Sequence, residues 1–247
     1  MKKSAALILA LSLTLLIYGN FLFFNVATSK KLETALVTRA IDGDTLVLSG
    51  ERIVRLVNIN SPEKSRQGYT EAKEFMQNLE NRTVEIEITG TDKYKRTLVR
   101  VYLSGVYMNL ESVRNGLSTK FLVDESELSL FAEGENQAIE QGIGIWKKSE
   151  FSNCFLTQVD TKNEVISIKN ACEPVNVKGW IARDESRKEY KFGDVSLGET
   201  KLRTANGRDN KTDLFWNSKQ NVWNNDRDTL YLFDSEWRLV NYESYGY

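Results

Sequence analysis

Apolar and polar positions alternate with period two over several stretches after residue 32, and the period changes to helical between them. ALVTRAI (35–41), TLVLSG (45–50) and ERIVRLVNI (51–59) read as three successive strands. QGYTEAKEFMQNLEN then reads as a helix, with Ala72, Phe75, Met76 and Leu79 at helical spacing. RTVEIEITG and RTLVRVYL alternate like strands, VYMNLESVRNG predicts a short helix ended by Gly116, and SELSLFAEGENQAIEQG predicts another. In that last helix Leu128, Phe131, Glu135, Ala138 and Ile139 fall on one side. Three strands, a helix, two strands and terminal helices suit a small Greek-key barrel of OB type.

From about Phe151 onward the pattern is short strands and turns only. VISIKN, VKGWIAR, KEYKFGD, KLRTANG and TLYLFD are evenly spaced, with Trp and Tyr of the buried kind between turn residues. That spacing predicts a β-sandwich. The fold class expected is therefore mainly β with some α (α+β), a five-stranded OB barrel with helices followed by an immunoglobulin-like sandwich. The expected boundaries are 32–150 for the barrel and 151–247 for the sandwich.

Residues 1–31 break both patterns. Lys2 and Lys3 precede a nearly continuous apolar run from Ala5 to Ala27. At about 1.5 Å per residue such a run can cross a hydrocarbon core of ~30 Å. Asn25-Val26-Ala27 matches a cleavage site poorly, so an uncleaved signal anchor is favoured over a cleaved signal peptide. The protein is expected to be exported, and either membrane-anchored through this segment or secreted. Outside the cytosol Cys154 and Cys172 can pair in a disulfide; the alternative is two buried free thiols.

Composition narrows the chemistry more than it names it. The formal net charge is −1, so a polyanion site must be local. There is no histidine. Ser-His-Asp and Cys-His machinery, His-ligated zinc and histidine acid–base catalysis are excluded. What remains is Asp, Glu, Arg, Lys, Tyr or a hard metal, and oxygen ligands favour calcium or magnesium.

IDGDT at 41–45 is ambiguous by itself. Asp-Gly is a strong hairpin signal, yet two carboxylates two residues apart can also face a cation. Farther on come R-L-x-x-I-x-S-P-E (55–63), DKYxR (92–96), N-x-x-x-V-R-x-G-L (109–117) and GIGIW (142–146). In this order and spacing, over roughly residues 35–148, the chain resembles the staphylococcal nuclease (thermonuclease) family. That resemblance implies an OB-fold, calcium-dependent phosphodiesterase acting on DNA and RNA, with nucleic acid as the partner.

The resemblance also implies residue roles. Asp44 matches the central calcium-binding aspartate, and Asp42 an acidic residue close behind it. Asn60 stands where a second ligating aspartate is usual, and Ser61 where a backbone carbonyl ligates. Glu63 matches the glutamate that orients or activates water. Arg55 and Arg96 match the two arginines that clamp the phosphate, and Lys93 and Tyr94 match residues that touch the nucleotide. Three positions depart from the pattern. Asn60 removes a negative charge, which lowers calcium affinity. Lys95 replaces a glycine. FLVDE (121–125) stands where tyrosines stack on bases.

Ordinary readings compete with these roles. Arg55 and Arg96 read equally as solvated strand charges, Glu63 as a helix N-terminal acid, and residues 93–96 as a basic hairpin tip. Trp146 reads as a core residue. WNNDRDTLYLFD (223–234), with VISIKN and GWIARDESRKEYKF upstream, resembles a lamin-tail domain, which implies a binding role toward nucleic acid, protein or the envelope surface. A catalytically weakened fold that only binds nucleic acid or protein, and a purely structural protein, are the alternatives to a nuclease.

Overall fold

The alternation from residue 32 to residue 60 becomes three antiparallel strands with one break. The computed structural model describes residues 32–247; the expected signal anchor or signal peptide lies outside the described residues. β1 (Leu32–Ala40), β2 (Thr45–Leu48) and β3 (Arg52–Leu56) form a meander. The third strand was expected to run through Ile59, but it stops at Leu56. Asn58 adopts a left-handed backbone (φ 68°) in a turn, and the chain resumes as the two-residue β4 (Ile59–Asn60). Asparagine tolerates that conformation, and Asp124 and Glu127 satisfy its amide oxygen and nitrogen respectively.

α1 (Tyr69–Gln77) follows and buries Ala72 and Met76. β5 (Thr83–Thr91) lies beside β1 and pairs antiparallel with β6 (Thr97–Leu103). β6 then pairs parallel with β3, Val54 opposite Thr97, which closes five strands into a barrel. Closure leaves no unpaired edge between β3 and β6. β7 (Val106–Tyr107) extends the sheet and leads into α2 (Met108–Arg114); β8 (Thr119–Lys120) pairs with β4, and α3 (Leu128–Gln141) follows. The barrel core gathers Val37, Leu46, Leu48, Val54, Leu56, Ile86, Val99 and Val101, all essentially inaccessible. Full burial contributes about 1.5–3 kcal/mol for each large apolar side chain.

The remaining chain forms two four-stranded sheets. One has the order β14-β13-β10-β9, from β9 (Phe155–Asp160), β10 (Val165–Asn170), β13 (Glu199–Arg203) and β14 (Asp213–Phe215). The other has the order β12-β11-β15-β16, from β11 (Ile181–Arg183), β12 (Glu189–Lys191), β15 (Asp228–Phe233) and β16 (Leu239–Tyr245). They share one core that includes Phe155, Ile166, Trp180, Leu202, Trp223, Leu230 and Leu232, which makes them a sandwich. β9, β14 and β16 were not foreseen from the sequence. Cys154 and Cys172 are disulfide-bonded, tying the start of β9 to the segment after β10.

A third core cluster joins barrel and sandwich. Ala138 and Ile139 of α3, with Ile145 and Trp146, pack against Ile181, Tyr231, Phe233 and Leu239. Trp146 stacks on Tyr231 at 5.2 Å between ring centroids. Residues 34–247 accordingly form one compact unit. Among the described residues no helix is long and apolar enough to cross a membrane.

Candidate active site

IDGDT proves to be a turn and a carboxylate platform together. The Ile41 N–H donates to the Thr45 carbonyl, closing the loop between β1 and β2. The Asp44 N–H donates to Asp42 Oδ1 at 3.0 Å, a local side-chain turn. Gly43 is required here by space: a Cβ would come within 2.6 Å of Ala72 Cβ and 2.7 Å of Ser61 Cβ. The turn is thus pressed between α1 and the end of β4. That packing places Asp44 Oδ2 where both the backbone N–H (2.8 Å) and the hydroxyl (2.9 Å) of Ser61 donate to it.

Arg55 comes in from β3, buried between Val54 and Leu56. Its guanidinium is held on all sides. It donates to the Leu56 carbonyl, to the Ile59 carbonyl at 2.8 Å and to Asn60 Oδ1 at 2.9 Å, and it pairs with Asp44 at 3.2 Å. Burial pulls its pKa down, Asp44 opposes that, and the nearby Arg96 and Arg187 charges add to it. The solvated-strand reading therefore does not describe Arg55.

Arg96 stands at the β5–β6 hairpin. Asp92 accepts the Tyr94 and Arg96 N–H groups at 2.9 Å each and the Arg96 Nε–H at 2.7 Å. The Lys93 ammonium and Arg96 guanidinium both lie near the exposed Tyr94 ring, at 5.1 and 5.6 Å from its centroid. Lys95, in the place of the glycine, has φ 66°, the conformation glycine adopts without strain.

These groups line a single cleft of about 1200 Å³ that includes Asp42, Asp44, Arg55, Asn60, Glu63, Lys93, Tyr94 and Arg96. Ser61 sits just behind it, buried against Asp44. Phe121 and Leu122 form an apolar rim, with Leu122 69% exposed. Glu63 projects from the segment before α1 with its side chain 70% exposed. Residues 53–148 match the family model described as Staphylococcal nuclease homologue. An uncharacterized endonuclease of Haemophilus influenzae is 32% identical over 139 residues, 53% of this chain and 78% of that one. A thermonuclease of Staphylococcus intermedius is 30% identical over 168 residues, 60% of this chain and all of that one. The chain belongs to the staphylococcal nuclease homologue family. An uncharacterized endonuclease of Escherichia coli is a further relative, 29% identical over 119 residues, 46% of this chain and 77% of that one.

The donor set of this family member fits a hard divalent cation in kind. Asp42 and Asp44 are neighbouring carboxylates, Asp44 also paired with Arg55, and burial together with the Asp44 charge raises the Asp42 pKa. The set is lean: among the described residues no three acidic, His or Cys side chains gather as a metal group. Asn60 Oδ1 accepts from two guanidiniums, Arg55 at 2.9 Å and Arg187 at 2.6 Å.

Sequence reasoning missed three residues around the cleft. Arg100 lies in its floor, paired with Glu87 (3.2 Å), Glu127 (2.9 Å) and Asp124. Asn109, fully buried, donates to the Val57 carbonyl and accepts from the Val101 N–H, fixing the strand end that leads to Asn60. A polar residue inside an apolar helical stripe was the available signal for Asn109. Arg187 comes from the sandwich, and nothing local to its sequence marks it.

Proposed function

We infer that the protein is a nuclease that hydrolyses phosphodiester bonds of DNA, RNA or both in this cleft, with calcium as cofactor. The observation that carries the reading is the convergence of Asp44, Arg55, Glu63 and Arg96 on one cleft. Arg55 and Arg96 bind the non-bridging phosphate oxygens and stabilise the charge that builds on them. Glu63, exposed at the rim, orients a water and accepts its proton as the new P–O bond forms and the bond to the leaving oxygen breaks. Lys93 and Tyr94 contact the nucleotide. Calcium bound there would polarise a phosphoryl oxygen. Asp42 and Asp44 would hold it, with the Ser61 carbonyl; Asn60 joins only if its amide oxygen leaves the two arginines.

The reading extends to place and organisation. Residues 32–150 are the nuclease domain and 151–247 a lamin-tail-like binding or targeting module, to which the WNNDRDT turn before β15 lends support. Export through residues 1–31, to a membrane-anchored or secreted state, is supported by the apolar run and by the Cys154–Cys172 disulfide, which suits an oxidising compartment. There, calcium sites of 10⁻⁴–10⁻³ M affinity still fill, roughly the class expected of so lean a donor set.

The test is cleavage of single-stranded DNA and RNA by the full chain across a calcium titration. The wild type is expected to cut, Glu63→Ala to lose about 10²–10⁴-fold in rate, and Asn60→Asp to shift the calcium requirement downward. No cleavage at saturating calcium overturns the reading. A second reading, a fold that binds nucleic acid or protein without cutting, is favoured by one observation: Arg187 occupies Glu63 and Asn60. Turnover that depends on Glu63 rejects it.

A further inference from the structure

The Asp184–Lys188 loop joins β11 to β12 at the end of the sandwich nearest the cleft. Its backbone is fully specified. Asp184 Oδ1 accepts the Lys188 N–H at 2.7 Å, and Oδ2 accepts the Ser186 hydroxyl at 2.7 Å. Arg187 has φ 71°, a left-handed conformation that is strained for a non-glycine residue. Such a residue persists only where its surroundings hold it.

Glu185 supplies the hold. Its carbonyl accepts Asn60 Nδ2 at 3.2 Å, and its carboxylate accepts the hydroxyls of Thr229 (2.6 Å) and Tyr247 (2.6 Å). The same carboxylate pairs at 3.3 Å with Lys120, a buried lysine of β8 that also pairs with Glu135 of α3 at 2.6 Å. The loop is thereby fastened to the barrel at Asn60 and at Lys120. The result is a guanidinium delivered into the nuclease cleft, with NH1 on Glu63 Oε1 and NH2 on Asn60 Oδ1.

We propose that Arg187 is a third phosphate-binding arginine of the site, so that the sandwich completes the substrate-binding surface of the barrel. The proposal rests on the nuclease reading above. Three facts support it. Arg187 lines the same cleft as Arg55 and Arg96, and its side chain remains 23% exposed. Asn60, neutral where a carboxylate was expected, holds the two guanidiniums side by side without adding a countercharge; the carboxylates they pair with are Asp44 for Arg55 and Glu63 for Arg187. The cleft offers rings for bases at Phe121 and Tyr94, and a further guanidinium adds a hold on the nucleic-acid backbone, the contact that positions a strand. A phosphodiester oxygen accepting from Arg187 takes the place of Glu63 Oε1 and leaves that carboxylate free to face water.

The experiment measures binding without cleavage. The full chain, kept in a chelator, is titrated against a fluorescein-labelled oligothymidylate by anisotropy over a range of NaCl concentrations. For single strands the slope of log K against log [salt] falls by about 0.7 for every phosphate the protein no longer neutralises. Arg187→Ala is expected to lower the slope by about 0.7 and weaken binding about tenfold. Arg187→Lys should keep the slope, because it keeps the charge. Arg96→Ala is the reference and should lower the slope equally. If Arg96→Ala lowers the slope and Arg187→Ala does not, the proposal fails and the nuclease reading stands. If neither lowers it, the phosphate-cleft reading fails and the proposal with it. Tighter binding by Arg187→Ala makes Arg187 a plug and also overturns the proposal. Should Arg187→Ala lower the melting temperature, Arg187→Gln, long enough to reach Asn60, is read in its place.

Discussion

Two hairpins deliver an arginine to the same cleft, and they are built alike. In the β5–β6 hairpin Asp92 braces the turn that carries Arg96; in the β11–β12 hairpin Asp184 braces the turn that carries Arg187. Each contains a non-glycine residue at positive φ, Lys95 in one and Arg187 in the other. Their electrostatics run in opposite directions. For Asp92 burial raises the pKa, but hydrogen bonds from Arg96 and Tyr94 together outweigh it, and the pKa is lowered from the ordinary carboxylate value. For Asp184 burial outweighs the hydrogen bonds from Ser186 and Lys188, and its pKa is raised. The same turn chemistry gives a solvated, adaptable tip in one place and a docked, rigid one in the other. What differs is the surface against which each hairpin packs.

The comparison breaks most completely if the docking is removed. Lys120→Met leaves Glu135 and Glu185 buried without their shared cation, which is expected to cost about 3–5 kcal/mol in chemical denaturation. It should also remove the contribution of Arg187 to nucleotide binding while sparing that of Arg96. A drop in stability under about 1 kcal/mol would show that the latch between barrel and sandwich is not stabilising. Next in size, Asp184→Ala strips the acceptor from a buried turn and should cost about 2 kcal/mol, whereas Asp92→Ala, in the more solvated hairpin, should lower the melting temperature by less. Equal effects would erase the distinction.

A pH series sharpens it. Asp228, beneath the docked loop, is pushed up to about 7 by burial, which outweighs the N–H groups of Asn224 and Thr229 that donate to it. Between the ordinary value of 3.8 and about 7 the folded state binds more protons than the unfolded one. Stability from this group is therefore present at low pH and declines as pH rises through that window. Asp92 has the reverse sign: its contribution is present above the ordinary carboxylate value and fades as pH falls through its depressed one. Melting curves of Asp228→Asn should lack the decline that the wild type shows up to pH ~7. A parallel pair of curves would reject the assignment. The smallest effect is expected at the solvated tip, where Lys95→Gly relieves the positive φ and stabilises by at most about 1 kcal/mol, with a modest change in cleavage as the tip loosens.

The barrel was readable because its information is local and periodic. β1, β2, β5, β6 and the three helices follow from alternation and helical spacing, since each element buries a face of its own. Glu135 was placed on the apolar side of α3, and there it meets Lys120 and Tyr231. The break at Asn58 was not readable, because a left-handed residue satisfied by Asp124 and Glu127 depends on segments 66 and 69 residues away. β9, β14 and β16 were missed for a related reason: β14 is only three residues long, β9 (FLTQVD) and β16 (LVNYESY) alternate weakly, and pairing with β10, β13 and β15 defines them.

The candidate site divides in the same way. The sequence by itself determined the residue types and their order: two aspartates about a glycine, an arginine farther along the next strands, Ser-Pro-Glu at a strand end and an arginine in a basic turn. It also excluded histidine chemistry outright. Only the tertiary structure decided that Gly43 is squeezed between Ala72 and Ser61, that the amide of Asn60 serves two guanidiniums, and that one of them belongs to Arg187. Local propensities act over a few residues, whereas those arrangements exist only once a buried lysine, two glutamates and a stacked tryptophan have docked one set of strands onto the other.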